Sequence, residues 1–520
     1  MLCARAWGLL LLLASCTPAA EPPAPAVETP SGWQAETGDG PTWPDAAWWQ
    51  GFRSPVLDRL IAAARADNFD IAAAIARVHQ ADAQVRIAGA ALLPTLDATA
   101  NAGWQQAGVT RGVAGSSTRS IQIHSYSLGL NAAYQVDFWG KNRAAQQSAI
   151  ASAVFSRWDQ EVVALTVVTN VATTWFTALA FADRIAIAER NLRDASQTLA
   201  VIQGRLDVGT ATALDLAQQQ ALVDGVRASI PPLRNQLQQA LLGLGILIGR
   251  PPEAVVEVVP EVVPGVVPGV VPGEAPGGVP GPTGPQPGTL TDLALPTVAP
   301  GLPSALLQRR PDVAEAEAQL VAAHFSVQVA RAAFFPTIQL TASGGLANAA
   351  LNTLFTPGGT IAALAAGLTQ PIFDAGTLHG QLEQTRGRYD ELLADYRKAV
   401  IQAFTDVETA LTAWRYTTEQ EALQRAAVAS AQRSADIARA QMAAGTVDVT
   451  TVLTAETTLF TDLDTLAQVR LARFQALLSV YKALGGGWRQ PDGAVTDQFP
   501  GLSPGQIEGG VALPVGGTMR

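Results

Sequence analysis

The sequence predicts a mixed α/β membrane protein that is internally duplicated, with four transmembrane β-strands per chain and very long α-helices. The phrase "AALLPTLDATANAG" returns as "AAFFPTIQLTASGG", with Pro94 and Pro336 lying 242 residues apart. Polar and apolar residues alternate after each proline, as in a strand with two different faces. Residues 141–203 and 388–444 contain neither glycine nor proline, which indicates continuous helices.

The N-terminus predicts an exported protein. Arg5 precedes an apolar run and small residues then lead to Cys16, so residues 1–15 have the layout of a signal peptide. The residues before Cys16 resemble the lipobox of bacterial lipoproteins, in which the cysteine is acylated; the alternative is a plain cleavage site with an incidental cysteine. Residues 16–47 are predicted to form an extended, lipidated tether, because this stretch is rich in proline, alanine and glutamate. No later segment has 18 consecutive apolar residues, so no transmembrane helix is expected.

Each copy of the repeat begins with a predicted helix, at residues 68–91 and 311–333, and the next proline ends it. The glycine-free runs then predict rods roughly 85–95 Å long, at ~1.5 Å per residue. Gly209 and Gly445 are predicted C-cap glycines, at which the chain turns back.

A returning helix is predicted after each turn. In the second copy it covers residues 446–484 without interruption. In the first copy it is expected to be broken at Gly225 and again at Pro231 and Pro232, because proline removes a helical hydrogen bond.

Four alternating segments predict the strands, at residues 95–104, 125–136, 337–344 and, more weakly, 361–370. Their length of roughly 9–12 residues is what a tilted strand needs to cross a bilayer. An apolar outer face and a polar inner face, with aromatic residues near the ends, are typical of a membrane β-barrel. Asp97 lies on the polar face and is therefore a candidate lumen charge. A soluble, half-buried sheet shows the same alternation and is the alternative.

Four strands cannot close a barrel, and an open edge in lipid leaves backbone groups unpaired at several kcal/mol each. Closure therefore requires several chains, and three copies would give a 12-stranded barrel. The same symmetry would gather the alanine-rich helices into a tube. An ordinary coiled-coil spacer is the alternative for the helices alone.

Composition excludes several classes of function. The net charge of −10 argues against nucleic acid as a partner, and both cysteines lie in the first 16 residues. The four histidines lack the spacing of a zinc site, and no phosphate-binding or nucleophile motif is present. We therefore expect no enzyme activity, no metal and no cofactor apart from the covalent N-terminal lipid.

Four phrases resemble the outer-membrane efflux protein family (TolC/OprM-like), specifically its NodT-type lipoproteins. The most specific is "LPSALLQRRPDVAEAEAQLVAAHFSVQVARAAFFPTIQLTASGG" from Leu302. The others are "WWQGFRSPVLDRLIAAARADNFDIAAAIARVHQADAQVRIAGAALLPTL" from Trp48, "YQVDFWGKNRAAQQSA" from Tyr134 and "LTQPIFDAGTLHGQLEQ" from Leu368. The resemblance covers residues 48–484, apart from the Pro/Gly-rich stretch at 258–288.

The resemblance implies a homotrimer in the outer membrane of a Gram-negative bacterium, with a long periplasmic α-helical barrel below the β-barrel. It also implies docking to a periplasmic adaptor and an inner-membrane RND transporter. Such a protein is a passive exit duct for drugs or other small amphipathic compounds, driven by the pump. Two alternatives within the fold are a conduit for type I protein secretion and one for metal efflux. A non-conducting structural lipoprotein is a third, and a cell-wall hydrolase is disfavoured.

Selectivity is expected at the periplasmic end, where the helix turns at residues 206–215 and 442–453 lie. Three acids there are Asp207, Asp215 and Asp448. They could form rings of carboxylates that attract cations, or each could simply cap a helix or face solvent. Family members commonly close this gate with an acidic and a basic residue. Alignment on Gly445 places Thr454 and Thr457 at those positions and Thr450 where a bulky apolar residue is usual, so a salt-bridged gate is not expected.

The expected organisation along the chain follows from these features. It comprises a signal peptide at 1–15, a lipidated tether at 16–47, a first efflux repeat at 48–250, a Pro/Gly-rich insertion at 251–300, a second efflux repeat at 301–485 and an irregular tail at 486–520.

Overall fold

The computed structural model describes residues 30, 32–34, 44–109, 119–251, 289–296 and 303–486. Within these ranges the chain forms seven main helices and four strands. In chain order they are α1 (Pro55–Asp67), α2 (Phe69–Ala90), β1 (Thr95–Val109), β2 (Arg119–Val136), α3 (Lys141–Asp207), α4 (Ala213–Leu247), α5 (Pro311–Ala332), β3 (Thr337–Asn348), β4 (Thr360–Thr369), α6 (Thr377–Ala443) and α7 (Val449–Ala483).

The duplication predicted from sequence is visible in this order. Helix, two strands, long helix and returning helix occur twice, as α2-β1-β2-α3-α4 and as α5-β3-β4-α6-α7. The long helices α3 and α6 have the same length, 67 residues, and the returning helices α4 and α7 have 35 residues each. At ~1.5 Å per residue the long helices extend about 100 Å.

Two helices differ from the sequence prediction. Helix α4 continues through Gly225 and through Pro231 and Pro232, where breaks are expected. Proline inside a helix costs ~3 kcal/mol, but the flanking Ile230 and Leu233 are buried in the core, and their packing offsets that loss. Helix α6 begins at Thr377, eleven residues before the predicted run at 388, because it tolerates Gly380 and Gly387 in its first turns.

The chain folds into two compact units. The first contains residues 77–157 and 315–397, including the sheet, and the second contains the remaining described residues. In the first unit the four strands form one antiparallel sheet in the order β1-β2-β3-β4. Trp139 follows β2, donates from Nε1 to the Pro336 carbonyl at 2.8 Å and stacks on Phe335, which joins the two repeats at the foot of the sheet.

The second unit contains the main hydrophobic core. Phe52, Phe176 and Phe474 are completely or almost completely buried against one another, with ring centroids 5.0–6.0 Å apart. Trp48 stacks on Tyr481 at 4.6 Å, and burial raises the pKa of Tyr481 to about 12. The short helix Trp48–Phe52 near the N-terminus is thereby fixed to both repeats.

Helix α3 is long and apolar enough to span a membrane by length and composition, although it contains no run of 18 consecutive apolar residues. Half of that window is buried inside the molecule, as is common in a core helix. One of the four histidines, His324 in α5, is partly buried, and its pKa is lowered by that burial and by the nearby Arg331.

Candidate functional site

The two turns at the ends of the long helices have one geometry. Gly209 and Gly445 both have φ of +77°, in the left-handed region that glycine adopts without strain. The next residue, Thr210 or Thr446, closes the turn by donating its backbone N–H to the carbonyl of Arg205 or Gln441 at 2.8 and 2.9 Å. This is the Schellman arrangement, in which a left-handed residue satisfies the carbonyls left free at a helix end.

Asp215 lies in the first turn of α4 and takes part in a capping box with Thr212. Its carboxylate accepts from the Thr212 backbone N–H and hydroxyl, both at 2.8 Å, while its own N–H donates to the Thr212 hydroxyl. The pair satisfies donors that the start of a helix leaves free. Asp215 therefore makes the contacts of a helix cap, which is one of the roles that the sequence predicts for it.

Asp448 caps the second returning helix in the same place. It is the N-cap of α7 and accepts from the Thr451 N–H at 2.9 Å and from the Thr451 hydroxyl at 2.5 Å. These two hydrogen bonds lower the pKa of Asp448, which keeps the carboxylate ionised to lower pH. Asp207, the third predicted acid, is exposed and accepts from the Gln203 side chain at 3.0 Å.

The three predicted gate threonines share one exposed face of α7. Thr450, Thr454 and Thr457 are spaced by four and three residues, which places them on one side of a helix. The hydroxyl of Thr454 donates to the Thr450 carbonyl at 2.9 Å. This face presents hydroxyl and methyl groups, whereas an ion pair would need ionisable residues.

Sequence reasoning missed a link between the two turns. Arg205, in the last turn of α3, donates to the carbonyl of Met442 and, at 3.4 Å, to that of Ala443, at the end of α6. The positive guanidinium thereby satisfies carbonyls at the negative end of another helix. The signal in the sequence is a basic residue four positions before Gly209, but its partner lies 237 residues away.

A second missed link is the buried carboxylate of Glu456 in α7. Its Oε1 accepts from Arg439 Nε of α6 at 2.8 Å and from the Thr198 hydroxyl of α3 at 3.0 Å, and the residue is fully buried. Oε2 has no hydrogen-bond partner among the described residues. Three helices are therefore joined by one charge, next to an apolar cluster that contains Ile202 and Val452.

The sheet carries the other predicted site residue, Asp97. It lies on the polar face of β1 opposite Asn131 of β2. The neighbouring Thr99 accepts from Asn131 Nδ2 at 3.1 Å, so hydroxyls and amides form a hydrogen-bonded row along this face. Among the described strand side chains on this face, Asp97 is the one charged group.

Far from the turns in sequence, Glu421 of α6 lies among three arginines. Arg425, Arg470 and Arg473 contact its carboxylate at 2.5, 3.1 and 2.8 Å. Burial opposes ionisation of Glu421, but the hydrogen bonds from Arg473, Arg470 and Arg425 together outweigh it and lower the pKa. Arg473 also lies over the ring of Trp414 at 5.0 Å, so this cluster has a structural explanation.

The remaining predictions concern bound groups. Among the described residues, no group of His, Cys, Asp and Glu side chains is arranged to hold a metal ion. Cys16, the predicted lipidation site, lies outside the described residues, as do the Pro/Gly-rich stretch at 258–288 and the tail after residue 486.

Comparison with known proteins gives the chain a family. The model of the family described as outer membrane efflux protein matches residues 60–250 and 302–486. The pyoverdine export outer membrane protein OpmQ of Pseudomonas aeruginosa is 38% identical over 483 residues, 92% of this chain and 95% of that protein. The cation efflux system protein CusC of Escherichia coli is 30% identical over 449 residues, 86% of this chain and 89% of that protein.

Solved structures agree with the sequence relatives. A crystal structure of CusC aligns with a TM-score of 0.75 at 28% identity, over 91% of this chain and all of that chain. A membrane protein from Pseudomonas aeruginosa aligns with a TM-score of 0.74 at 28% identity, over 89% of this chain and 99% of that chain. The chain belongs to the outer membrane efflux protein family and is an outer-membrane efflux channel of a Gram-negative bacterium.

Proposed function

We propose that this efflux channel works as a homotrimer whose twelve strands form a barrel in the outer membrane and whose helices form a periplasmic tube. The observation that carries this proposal is the four-stranded sheet, which has one polar and one apolar face and two open edges. Such a sheet is stable in lipid only when its edges are paired with other strands. The chain would then be a water-filled duct without catalytic chemistry of its own.

The anchor and the partners follow from the same proposal. Cys16 would carry the N-terminal lipid, and mass spectrometry of the mature N-terminus tests this. A lipid-modified Cys16 is expected as the first residue, and an unmodified Cys16 or a different first residue contradicts the proposal. A periplasmic adaptor and an inner-membrane RND pump would supply the energy and the substrate. Copurification of the chain with such a pump tests the partner.

The substrate is proposed to be a small organic compound, such as a drug or another amphipathic molecule. OpmQ, at 38% identity, is named for the export of pyoverdine, which favours a secreted small molecule for this chain as well. CusC, at 30% identity, is named for cation efflux, which keeps a metal substrate as the second candidate. Growth of a deletion strain on drugs and on metal salts separates the two, because each candidate predicts sensitivity to one class.

The duct itself is tested by conductance. The purified trimer in planar bilayers is expected to open aqueous channels, and a non-conducting trimer would instead favour a structural lipoprotein. For the selectivity, we propose that the carboxylates at the tip attract cations even though Asp215 and Asp448 also cap helices.

Charge reversal tests these rings residue by residue. Asp215→Lys and Asp448→Lys are expected to lower the cation preference of the channel, because each replaces three negative charges at the tip of a trimer by three positive ones. Asp97→Asn in the barrel is the comparison, and it should lower the preference only if the barrel contributes. Unchanged selectivity in a variant removes its residue from the conducting path.

A further inference from the structure

The four helices that meet at the two turns pack through two apolar clusters with a polar layer between them. One cluster contains Ala195, Val223, Ala431, Ala435, Leu459 and Phe460. The other lies nearer the turns in sequence and contains Ile202, Ala438, Met442, Val449 and Val452. The polar layer between the clusters consists of Thr198 of α3, Gln219 of α4, Arg439 of α6 and Glu456 of α7. Each of the four helices therefore contributes a polar side chain to one level of the bundle.

Hydrogen bonds in the polar layer connect α3 to both returning helices. Gln219 donates from Nε2 to the Ala195 carbonyl at 2.9 Å. One turn further along α3, the Thr198 hydroxyl donates to Glu456 at 3.0 Å. Glu456 also accepts from Arg439 Nε at 2.8 Å, so one buried carboxylate ties α7 to α3 and to α6. The layer therefore holds α4 and α7 against neighbouring turns of α3.

Apolar packing alone does not fix the rotation of α7 about its own axis. Leu453 and Ala455 are partly buried against the two clusters, and they flank the buried Val452 and Glu456 in sequence. A rotation of a few tens of degrees would exchange one apolar side chain for its neighbour. The same rotation would carry the carboxylate of Glu456 away from its donors. A polar residue in an apolar helix seam sets the register of helices in this way, at a cost in stability.

The rotation of α7 matters because the threonine face lies on its other side. Each residue turns a helix by about 100°, so Thr450, Thr454 and Thr457 lie roughly 100–160° around α7 from Glu456. We infer that Glu456 is a positioning residue of the periplasmic gate, because its hydrogen bonds fix the direction in which the threonine face points. This inference rests on the trimeric duct proposed above, in which the threonine face would line the path.

A small rotation of α7 is enough to change such a gate. An α-helix with its side chains has a radius of ~5–6 Å, so a rotation of about 40° moves a group on its surface by roughly 4 Å. In a trimer the same movement occurs on three sides of the path. Loss of one buried contact per subunit would therefore change the width of the whole gate.

Two substitutions of similar size separate the hydrogen bonds of Glu456 from its packing. In Glu456→Gln the amide oxygen can still accept from Arg439 and Thr198, whereas Glu456→Met leaves only a weakly accepting thioether. We expect the glutamine variant to keep the wild-type gate. We expect the methionine variant to form a trimer in which α7 adopts more than one rotation. Asp436→Ala is the matched control, because it removes the exposed carboxylate from the same arginine.

Spin–spin distances between subunits measure the rotation directly. A nitroxide on Thr454→Cys in the full-length trimer reports the position of the threonine face, and both native cysteines lie far away in sequence, within the first 16 residues. One narrow distance is expected with Glu456, with Glu456→Gln and with Asp436→Ala. In Glu456→Met the distribution should broaden or shift by on the order of 4 Å, and the leak conductance in planar bilayers should rise several-fold. A purely structural role would lower stability and leave the distance and the leak unchanged.

Thr198→Val gives a second, milder test, because it removes only the bond from α3 and keeps the shape of the side chain. It should broaden the distances in the same sense, and it decides the question alone if Glu456→Met does not assemble. Wild-type distances and leak in these variants overturn the positioning role and leave the proposed duct standing, provided that a bulky thiol reagent on Thr454→Cys blocks the channel. A reagent that does not block it, or a trimer that does not conduct, overturns the proposed path and this inference together.

Discussion

Arg439 contacts two carboxylates whose surroundings differ completely. Its Nε donates to Glu456, which is fully buried, and its Nη1 lies 3.3 Å from Asp436, whose side chain is 58% exposed. An exposed ion pair contributes little, because water screens it and two long side chains must be ordered. Removing Glu456 is more costly, because it leaves a gap in the core and deprives Arg439 Nε and the Thr198 hydroxyl of a buried acceptor.

The Glu456→Ala variant is therefore expected to lose on the order of 3 kcal/mol of unfolding free energy, whereas Asp436→Ala should lose under ~1 kcal/mol. Denaturant unfolding followed by circular dichroism in detergent measures both. The two variants remove a carboxylate from the same arginine, so they control for each other. Equal losses would contradict the assignment of Glu456 as the link among α3, α6 and α7.

Asp183 predicts a pH dependence of stability. Burial raises its pKa to about 6, although the Leu290 backbone N–H donates to it at 3.1 Å and Arg470 lies nearby. The folded state then holds a proton that the unfolded state releases at lower pH. The free energy of unfolding should therefore fall, by on the order of 2–3 kcal/mol from this group, as pH rises from about 4 to about 6.

The Asp183→Asn variant should lose this part of the pH dependence, because its amide stays neutral and its carbonyl can still accept from Leu290. Unfolding curves of both proteins between pH 4 and 7 measure the effect. A wild-type protein that gains stability relative to the variant over that range would contradict the raised pKa.

Residue patterns predicted the roles that depend on local sequence and missed those that depend on distant partners. Asp215 and Asp448 could be recognised as candidate caps because the groups they bind lie three residues away. Glu456 could not be recognised, because Thr198 lies 258 residues from it and helix positions alone do not show which helices become neighbours.

At the scale of the elements, glycine has opposite effects in a turn and in a helix. Gly209 has φ of +77°, whereas Gly225 lies inside α4, and a Cβ atom would meet nothing within 4 Å at either position. The substitution therefore changes only the backbone preference. In the left-handed region a Cβ atom costs ~1–2 kcal/mol, whereas in a helix alanine is favoured over glycine by ~1 kcal/mol.

Gly209→Ala is expected to lower the thermal midpoint of unfolding and Gly225→Ala to raise it slightly. Differential scanning calorimetry in detergent compares the two. Hydrogen exchange at residues 206–215 should rise in the first variant and stay unchanged in the second. Shifts of the same sign would show that space, and not backbone geometry, governs these positions.

Most helices and strands could be predicted from sequence, because hydrophobic periodicity and the positions of proline and glycine are local features. Helix and strand boundaries fell within a few residues of the prolines and C-cap glycines that predicted them. The exceptions, Pro231 and Gly380, lie inside long helices, where packing and many continuous hydrogen bonds override a single unfavourable residue. Proline therefore does not end a helix whose residues on both sides of the proline are buried in the core, as Ile230 and Leu233 are.

At the scale of the whole molecule, the duplication made the fold class predictable from sequence, and four segments that resemble the family made the family predictable. The motif around Pro94 recurs around Pro336, and each copy is followed by alternating segments and a run without glycine or proline. This pattern predicted the order of helices and strands that the structure confirms. The number of chains in the assembly was predicted from the need to close the sheet and stays a prediction. It depends on curvature and on subunit contacts, which no single stretch of residues encodes.

The two open edges have a genetic consequence. If each subunit of a trimer contributes both edge strands, β1 and β4, a subunit with a damaged edge strand leaves the barrel open even when the other two subunits are intact. When intact and edge-damaged alleles are expressed equally and subunits assemble at random into trimers, only about one trimer in eight contains three intact subunits. Damage to β4 should accordingly behave as a dominant trait, whereas a null allele of the same gene should be recessive.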